Sequence, residues 1–393
     1  MKEVRKMKRF WIILLSTFLV TMGLFFLQSW LALKEDVEVE FKKVSGSDSE
    51  LKNLLLYGTY QGKQKHLLKI TDEKTIDIKT ESFFYKLSKK NDKPSYILME
   101  ILKEQHPNFM VGKELFPNYF YEDEKLVVYS NIRRQSFRLE IKALNKKTDQ
   151  ITSIECDIPE KEKYERMSVD DVQVINGELK VITSGFLKDD RDVMCIYTFD
   201  INKQKLINNE TIAMVQGRII LINNHTSIYP QKYLLIEKET YGSDPIIREY
   251  FFYNVENDQL KKWSGYSEIP DIIPHRISIY NSRIFFPSSS ETDLKVSRYD
   301  IEKEEWDHTL TFNYGYIKED YSDIPFQDDD VPYIQLMNGK LYVIRPTNNG
   351  DATIHIGDLN TGKLLYEGKL IVNRPLEERK GHHLSINQLG IVD

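Results

Sequence analysis

A pair of apolar strand runs, the second ending in a polar turn, recurs six times along this chain and restricts its fold more than any other feature of the sequence. The clearest copy joins the apolar run Leu341-Tyr-Val-Ile344, entered from Lys340, to a second run ending in His355-Ile-Gly-Asp358, with polar and apolar side chains alternating over Ala352 to Ile356 and the turn residues Asp358-Leu-Asn-Thr-Gly-Lys363 after them. First runs of the same character stand at Leu54-Leu-Leu-Tyr57, Leu126-Val-Val-Tyr129, Leu179-Lys-Val-Ile182, Tyr233-Leu-Leu-Ile236 and Arg283-Ile-Phe-Phe286. Their partners are Lys69-Ile-Thr-Asp72, Ile141-Lys-Ala-Leu-Asn145, Tyr197-Thr-Phe-Asp200, Phe252-Tyr-Asn254 and Arg298-Tyr-Asp300. Starts near 55, 126, 179, 234, 284 and 341 give a period of about 50 to 57, apart from a first interval of about 71 that must contain an insertion.

The turns share one rationale. In the segments Phe199 to Leu206, Tyr253 to Leu260, Tyr299 to Trp306 and Gly357 to Leu364, an Asp or Asn ends the strand, and its side chain can accept from backbone N–H groups of the turn. A large apolar residue then re-enters the sheet. Asp200, Asn254, Asp300 and Asp358 are therefore read as turn fasteners rather than as catalytic groups.

Units of this length with several strands each cannot bury their faces alone, so they stack on their neighbours and close into a ring. The expected fold is all-β, a propeller of six blades with seven as the alternative, over residues 54–393. Residues 81–118 interrupt the pattern, and Tyr96-Ile-Leu-Met-Glu-Ile-Leu102 within them is expected to add strands to the first unit. The polar tail from Pro375 onward either returns a strand to the ring or projects freely. The segment Tyr299 to Trp306 and Asn338-Gly-Lys-Leu-Tyr-Val-Ile344 resemble kelch-type strand motifs, and Asn360-Thr-Gly-Lys-Leu-Leu365 resembles the turns of quinoprotein-like propellers. The resemblance spans residues 54–372 and implies the β-propeller superfamily without a particular family. The double glycine that follows the kelch inner strand is missing in every unit; Ser184-Gly185 comes nearest.

Ahead of the repeat, Phe10 to Leu33 carries no charged residue and is long enough, at about 1.5 Å per residue, to cross a hydrocarbon layer of roughly 30 Å. Lys2, Arg5, Lys6, Lys8 and Arg9 precede it, whereas Glu35, Asp36, Glu38 and Glu40 follow. That asymmetry predicts an uncleaved transmembrane anchor at 10–33 with a cytoplasmic stub at 1–9 and the body outside the membrane. Residues 34–53, charged and Ser-rich, read as a tether. The net charge of -6 includes that basic stub, so the body is more acidic still, which disfavours nucleic acid as a partner. Cys156 and Cys195, the two cysteines, fit no metal knuckle or redox motif; either they pair or they are small buried apolar side chains.

No phosphate loop, nucleophile elbow, zinc-binding helix motif or cysteine cluster is present, so the strongly signalled enzyme classes drop out. Enzymes whose carboxylates converge from different blades leave no local signature and stay open. Two local candidates remain. Tyr314, Tyr316 and Tyr321 with Trp263 and Tyr266 are aromatic loop residues suited to a sugar or peptide platform, with sheet packing as the competing explanation. Asp328, Asp329 and Asp330 offer oxygens for Ca²⁺, but no glycine or alternating oxygen spacing follows, so a solvated charge run explains them as well. The expectation is an anchored extracytoplasmic binding, accessory or sensory module for a protein, peptide or glycan. The alternatives are a hydrolase or lyase acting on surface polysaccharide, and a purely structural ring.

Overall fold

Each strand pair found in the sequence is the middle of a larger antiparallel sheet. The computed structural model describes residues 16–18, 20–23, 37–62, 65–78, 97–222, 228–242, 246–265, 277–289, 293–307, 309–313, 333–347, 349–375, 377, 379 and 381–391. Among them, strands assemble into six sheets, each of the kind that forms a propeller blade. In the first, β2 (Leu54–Gln61), β3 (Lys65–Thr71) and β4 (Thr75–Asp77) are joined by the last strand, β26 (His383–Ile391), against β2. The second is β5 (Phe120–Glu122), β6 (Leu126–Arg133), β7 (Arg138–Asn145) and β8 (Gln150–Asp157). The third is β9 (Tyr164–Ile175), β10 (Glu178–Leu187), β11 (Asp192–Asp200) and β12 (Lys205–Val215). The fourth is β13 (Gly217–Ile222), β14 (Tyr233–Thr240), β15 (Ile247–Asn254) and β16 (Gln259–Lys262). In the fifth, β17 (Ser278–Tyr280), β18 (Arg283–Ser289), β19 (Asp293–Asp300) and β20 (Glu305–Trp306) run in order, and β21 (Leu310–Asn313) also pairs with β19. The sixth holds β22 (Tyr333–Met337), β23 (Lys340–Pro346), β24 (Ala352–Asp358), β25 (Leu364–Val372) and, outermost, β1 (Val39–Gly46).

The turn fasteners act as the sequence predicts. Asp358 Oδ1 accepts from the N–H groups of Asn360 and Thr361 at 2.7 and 2.8 Å, and Asp300 Oδ1 does the same for Glu302 and Lys303 at 3.1 and 3.0 Å. Asp200 and Asn254 each hold one turn N–H at 2.9 Å. These side-chain oxygens hold turn N–H groups, and the chain reverses into the fourth strand of the sheet.

Burial explains the ring. Apolar clusters lie between sheets two and three, three and four, four and five, five and six, and six and one, so each sheet gives one face to each neighbour. The gap between sheets one and two is filled differently. Helix α1 (Ile97–Gln105) stands there, with Ile97 and Ile101 against Leu55 and Tyr57 of β2, and Leu98, Met99 and Leu102 in the core of the second and third sheets. Gly390 on β26 makes room for it, since a Cβ there would meet Ile97 Cγ2 at 2.5 Å. The helix is followed by one short turn, α2 (Pro107–Met110).

Two expectations change and two open alternatives are decided. The run Tyr96 to Leu102 is not extra strand: from Ile97 it is α1, because apolar residues at 97, 98, 101 and 102 with 99 suit a helix gripped on two sides, and short apolar runs do not reveal their period. The tether at 34–53 contains β1, where Val37, Val39 and Phe41 alternate with acids and Val39 pairs with Val372. The polar tail returns to the ring as β26. Cys156 and Cys195 are both free thiols. As for the anchor, residues 10–33 lie outside the described residues except 16–18 and 20–23, which are helical; among the described residues no helix is long and apolar enough to cross a membrane.

Candidate functional site

Two cavities open between the sheets, and they differ in how their polar groups are spent. One, of about 610 Å³, is reached past the turns between first and second strands, Asn176-Gly177, Asn281-Ser282 and Asn338-Gly339, all at positive φ as tight hairpins demand. First strands β9, β17, β22 and β26 reach its wall, which places it on the ring axis. Several of its polar groups are engaged: Gln388 Oε1 accepts from the Ile97 N–H at 2.9 Å, and Lys232 pairs with Glu302 at 2.8 Å and Glu256 at 3.5 Å.

The other, about 510 Å³, is built where sheets two, three and four meet. Three elements of local sequence shape it. The β6–β7 hairpin contributes Arg134 and Phe137, the latter at φ 48° with its N–H on Arg133 O at 2.9 Å. The antiparallel register of β9 and β10 sets Ser168 opposite Ser184, Met167 opposite Gly185, and Arg166 opposite Phe186. The starts of β11 and β13 add Asp192 and Arg218. Gly185, the one glycine near the kelch position, sits in tight packing: a Cβ there would lie 3.0 to 3.2 Å from the Tyr164 ring and Met167, so those side chains would have to shift.

The β9–β10 ladder carries a bulge. Ile182 opposes Asp171 while Thr183 opposes Val169, so Asp170 is the extra residue, and such bulges re-aim a side chain. Asp170 Oδ1 accepts from Ser184 Oγ at 2.9 Å, and Ser184 Oγ lies 3.1 Å from Ser168 Oγ. Burial pushes the Asp170 carboxyl up to about 7; the Ser184 and Ser168 hydroxyls draw it back, and the Asp192 carboxylate adds to the rise. Asp192 itself accepts from the Ile219 N–H at 3.2 Å. Asp171 is taken up by the Gln173 amide at 2.9 Å.

Arg134, Arg166 and Arg218 are exposed at this cleft, and none is in an ion pair among the described residues. Arg166 lies over the Phe186 ring at 4.9 Å, a cation–π contact that fixes its guanidinium. Unpaired guanidiniums around a concavity favour an anion; Ser168, Ser184, Glu165 and Asp192 beside them accept hydrogen bonds.

The aromatic and acidic candidates from the sequence do not build this site. Tyr314, Tyr316, Tyr321, Tyr266 and Asp328, Asp329 and Asp330 lie outside the described residues. Trp263 is 3% exposed and packs among Phe252, Phe286 and Tyr299 at ring distances of 5.3 to 5.4 Å, so it belongs to the core between sheets four and five and not to a surface platform. Its indole is too large to leave in water when two sheet faces must be joined. Asp170 and the three arginines went unnoticed because they are spread over three sheets; the one sequence signal near them was the isolated Ser184-Gly185.

No protein-family profile and no curated protein matches the chain. Among solved structures it is similar to the β-propeller domain of the trilobed protease from Pyrococcus furiosus, at 11% identity and a TM-score of 0.33 over 83% of this chain and 84% of that one. It is also similar to prolyl endopeptidases (12%, 0.35, 82% of this chain but 43% of theirs) and to the polysaccharide lyase Uly1 (8%, 0.34, 70% and 57%). The fold is a β-propeller. That rests on the sheet order, on the pairing of β26 with β2 and on the clusters between sheets, and likeness of this degree adds nothing about the site.

Proposed function

We propose that the chain is a membrane-anchored, extracytoplasmic propeller of six blades that serves as a binding, accessory or sensory module for an envelope or membrane partner, with the cleft between sheets two, three and four as its ligand seat. Six sheets at the sequence period support the blade number. The charge-free run at 10–33 behind a basic stub supports the anchor and its orientation. The observation that carries the binding reading is the set of Arg134, Arg166 and Arg218 on one cleft without ion pairs among the described residues. Full-length protein carrying Arg134→Ala, Arg166→Ala and Arg218→Ala together should lose a partner that the wild type retains through crosslinking and detergent pull-down at native expression. Recovery of the same partners by both, or of none by either, ends this reading. Labelling of a cysteine introduced in the body by an impermeant reagent on intact cells checks the orientation.

One observation favours a second reading, a hydrolase or lyase acting on surface polysaccharide. Asp170, held protonated to about pH 7 behind Ser184 of the cleft wall, stands in the field of a second carboxyl group, Asp192, which lines the cleft. A proton-bearing carboxyl with a second carboxyl group in its field supplies the two groups that a glycosidic acid and its base require. In that reading Asp170 donates to the leaving oxygen and Asp192 activates water. Chain cleavage that Asp170→Asn abolishes would support it; no cleavage of envelope polysaccharide between pH 5 and 8 removes it.

A further inference from the structure

Resting on the binding reading of the cleft, we propose that its ligand is an acidic sugar unit of a glycan, a hexuronate-type residue whose carboxylate is held by arginine and whose hydroxyls and ring face meet the remaining wall. Three properties of the wall select this class. The arginines supply planar, paired N–H donors that match a carboxylate. Among them stand Glu165 and Asp192, which would repel a bare phosphate or sulfate but accept from ligand hydroxyls, and Ser168 and Ser184, whose oxygens can also accept from ligand hydroxyls. Two apolar rings, Phe137 and Phe186, also line the cleft and suit the C–H face of a pyranose. No charged inorganic ion needs that third property, and a sugar carrying one carboxylate uses all three.

Competing macromolecular ligands fit less well. The chain's net charge is -6, so the cleft is a local basic island and not a face that could follow the backbone of a nucleic acid or lie on anionic lipid. An extended acidic peptide would want a continuous strand edge. The edge of β9 is interrupted by the bulge at Asp170, and Val169 O is already taken by the Asn118 side-chain amide at 2.7 Å. The volume of about 510 Å³ suits one or two saccharide units.

The test uses full-length protein in detergent and isothermal titration with trigalacturonic acid, its methyl ester, poly-glutamate and inorganic phosphate as probes. Trigalacturonic acid should bind at least tenfold more tightly than its methyl ester, and Arg166→Ala or Arg218→Ala should each weaken it at least tenfold. Glu165→Gln with Asp192→Asn should weaken the sugar acid while strengthening any residual phosphate binding, a reversal that a merely electrostatic patch does not produce. Phe186→Leu should weaken the sugar acid and leave phosphate unchanged. Unfolding curves of each variant exclude loss by misfolding, and Arg166→Lys, which keeps charge without the fork, should recover only part of the affinity. If poly-glutamate or phosphate binds in an arginine-dependent way and trigalacturonic acid does not surpass its ester, the cleft survives as an anion seat and the sugar inference is wrong. If no probe binds and the arginine variants change nothing, both fail.

Discussion

Replacing Asp170 by asparagine should make this protein more stable at alkaline pH. In the folded chain the carboxyl is raised to about 7, first by burial and then by Asp192, with the hydroxyls of Ser184 and Ser168 offsetting part of the rise. Unfolded, it titrates near its ordinary value of 3.8. Below that value both states hold the proton and there is no penalty. As pH rises through the interval from 3.8 to about 7 the unfolded state ionises while the folded state does not, so stability falls; above about 7 the loss is complete. A shift of roughly 3 units at about 1.4 kcal/mol each sets a ceiling of about 4 kcal/mol, and because the group keeps some contact with cavity solvent we expect about 2 to 4 kcal/mol. Asp170→Asn keeps the hydrogen bond to Ser184 and removes the charge. Urea unfolding followed by the fluorescence of Trp263 and Trp306, which pack 6.3 Å apart, at pH 4, 6 and 8 would measure it. The variant should come nearest to the wild type at pH 4 and exceed it most at pH 8. Equal or lower stability at pH 8 refutes the reasoning. Such a penalty is the kind retained at a functional site, where activity sets the residue and stability bears the cost.

Burial holds the His355 imidazole near 4, against the upward pull of Glu367, so stability should fall as pH drops from about 6.5 to about 4, by up to about 3 kcal/mol. His355→Asn should flatten that acid limb in the same unfolding series, and an unchanged limb would assign the effect elsewhere. Leu102→Ala on α1, wholly buried where the helix bridges two sheets, should cost about 2 to 5 kcal/mol. A loss under about 1 kcal/mol by chemical denaturation would mean that α1 is not what joins those sheets. Trp263→Leu should lower stability by about 1 to 3 kcal/mol and leave ligand affinity unchanged in calorimetry. A selective loss of binding would restore this residue to the ligand surface.

What was legible in the sequence was what local chemistry encodes. The apolar runs at Leu341 to Ile344 and at its five relatives marked the second strand of each sheet, because a strand packed between two neighbouring sheets is buried on both faces and reads as a short continuous apolar run. The Asp and Asn fasteners were legible because a turn acceptor acts on N–H groups two or three residues away. First strands such as β5 and β17 are only three residues long, and nothing in three residues announces a strand. The apolar run at 97–102 carried no usable period, and the structure spent it as a helix in the gap between two sheets.

Strand β1 could be read as alternating once its partner was known, but its place beside β25 joins residues more than three hundred apart, and so does the pairing of β26 with β2. Loop closure over that length is decided by the whole ring, since only stacking of all the sheets repays the entropy. The same holds for the cleft. Arg134, Arg166, Arg218 and Asp192, and Asp170 behind Ser184, are ordinary surface-type residues in sequence, and their chemistry exists only where three sheets bring them together. The sequence by itself determined the repeat, the turns and the strand character, because each depends on neighbours in the chain. Tertiary structure decided closure, the helix between two sheets and the charge of the cleft, because each depends on distances that only the packed ring sets.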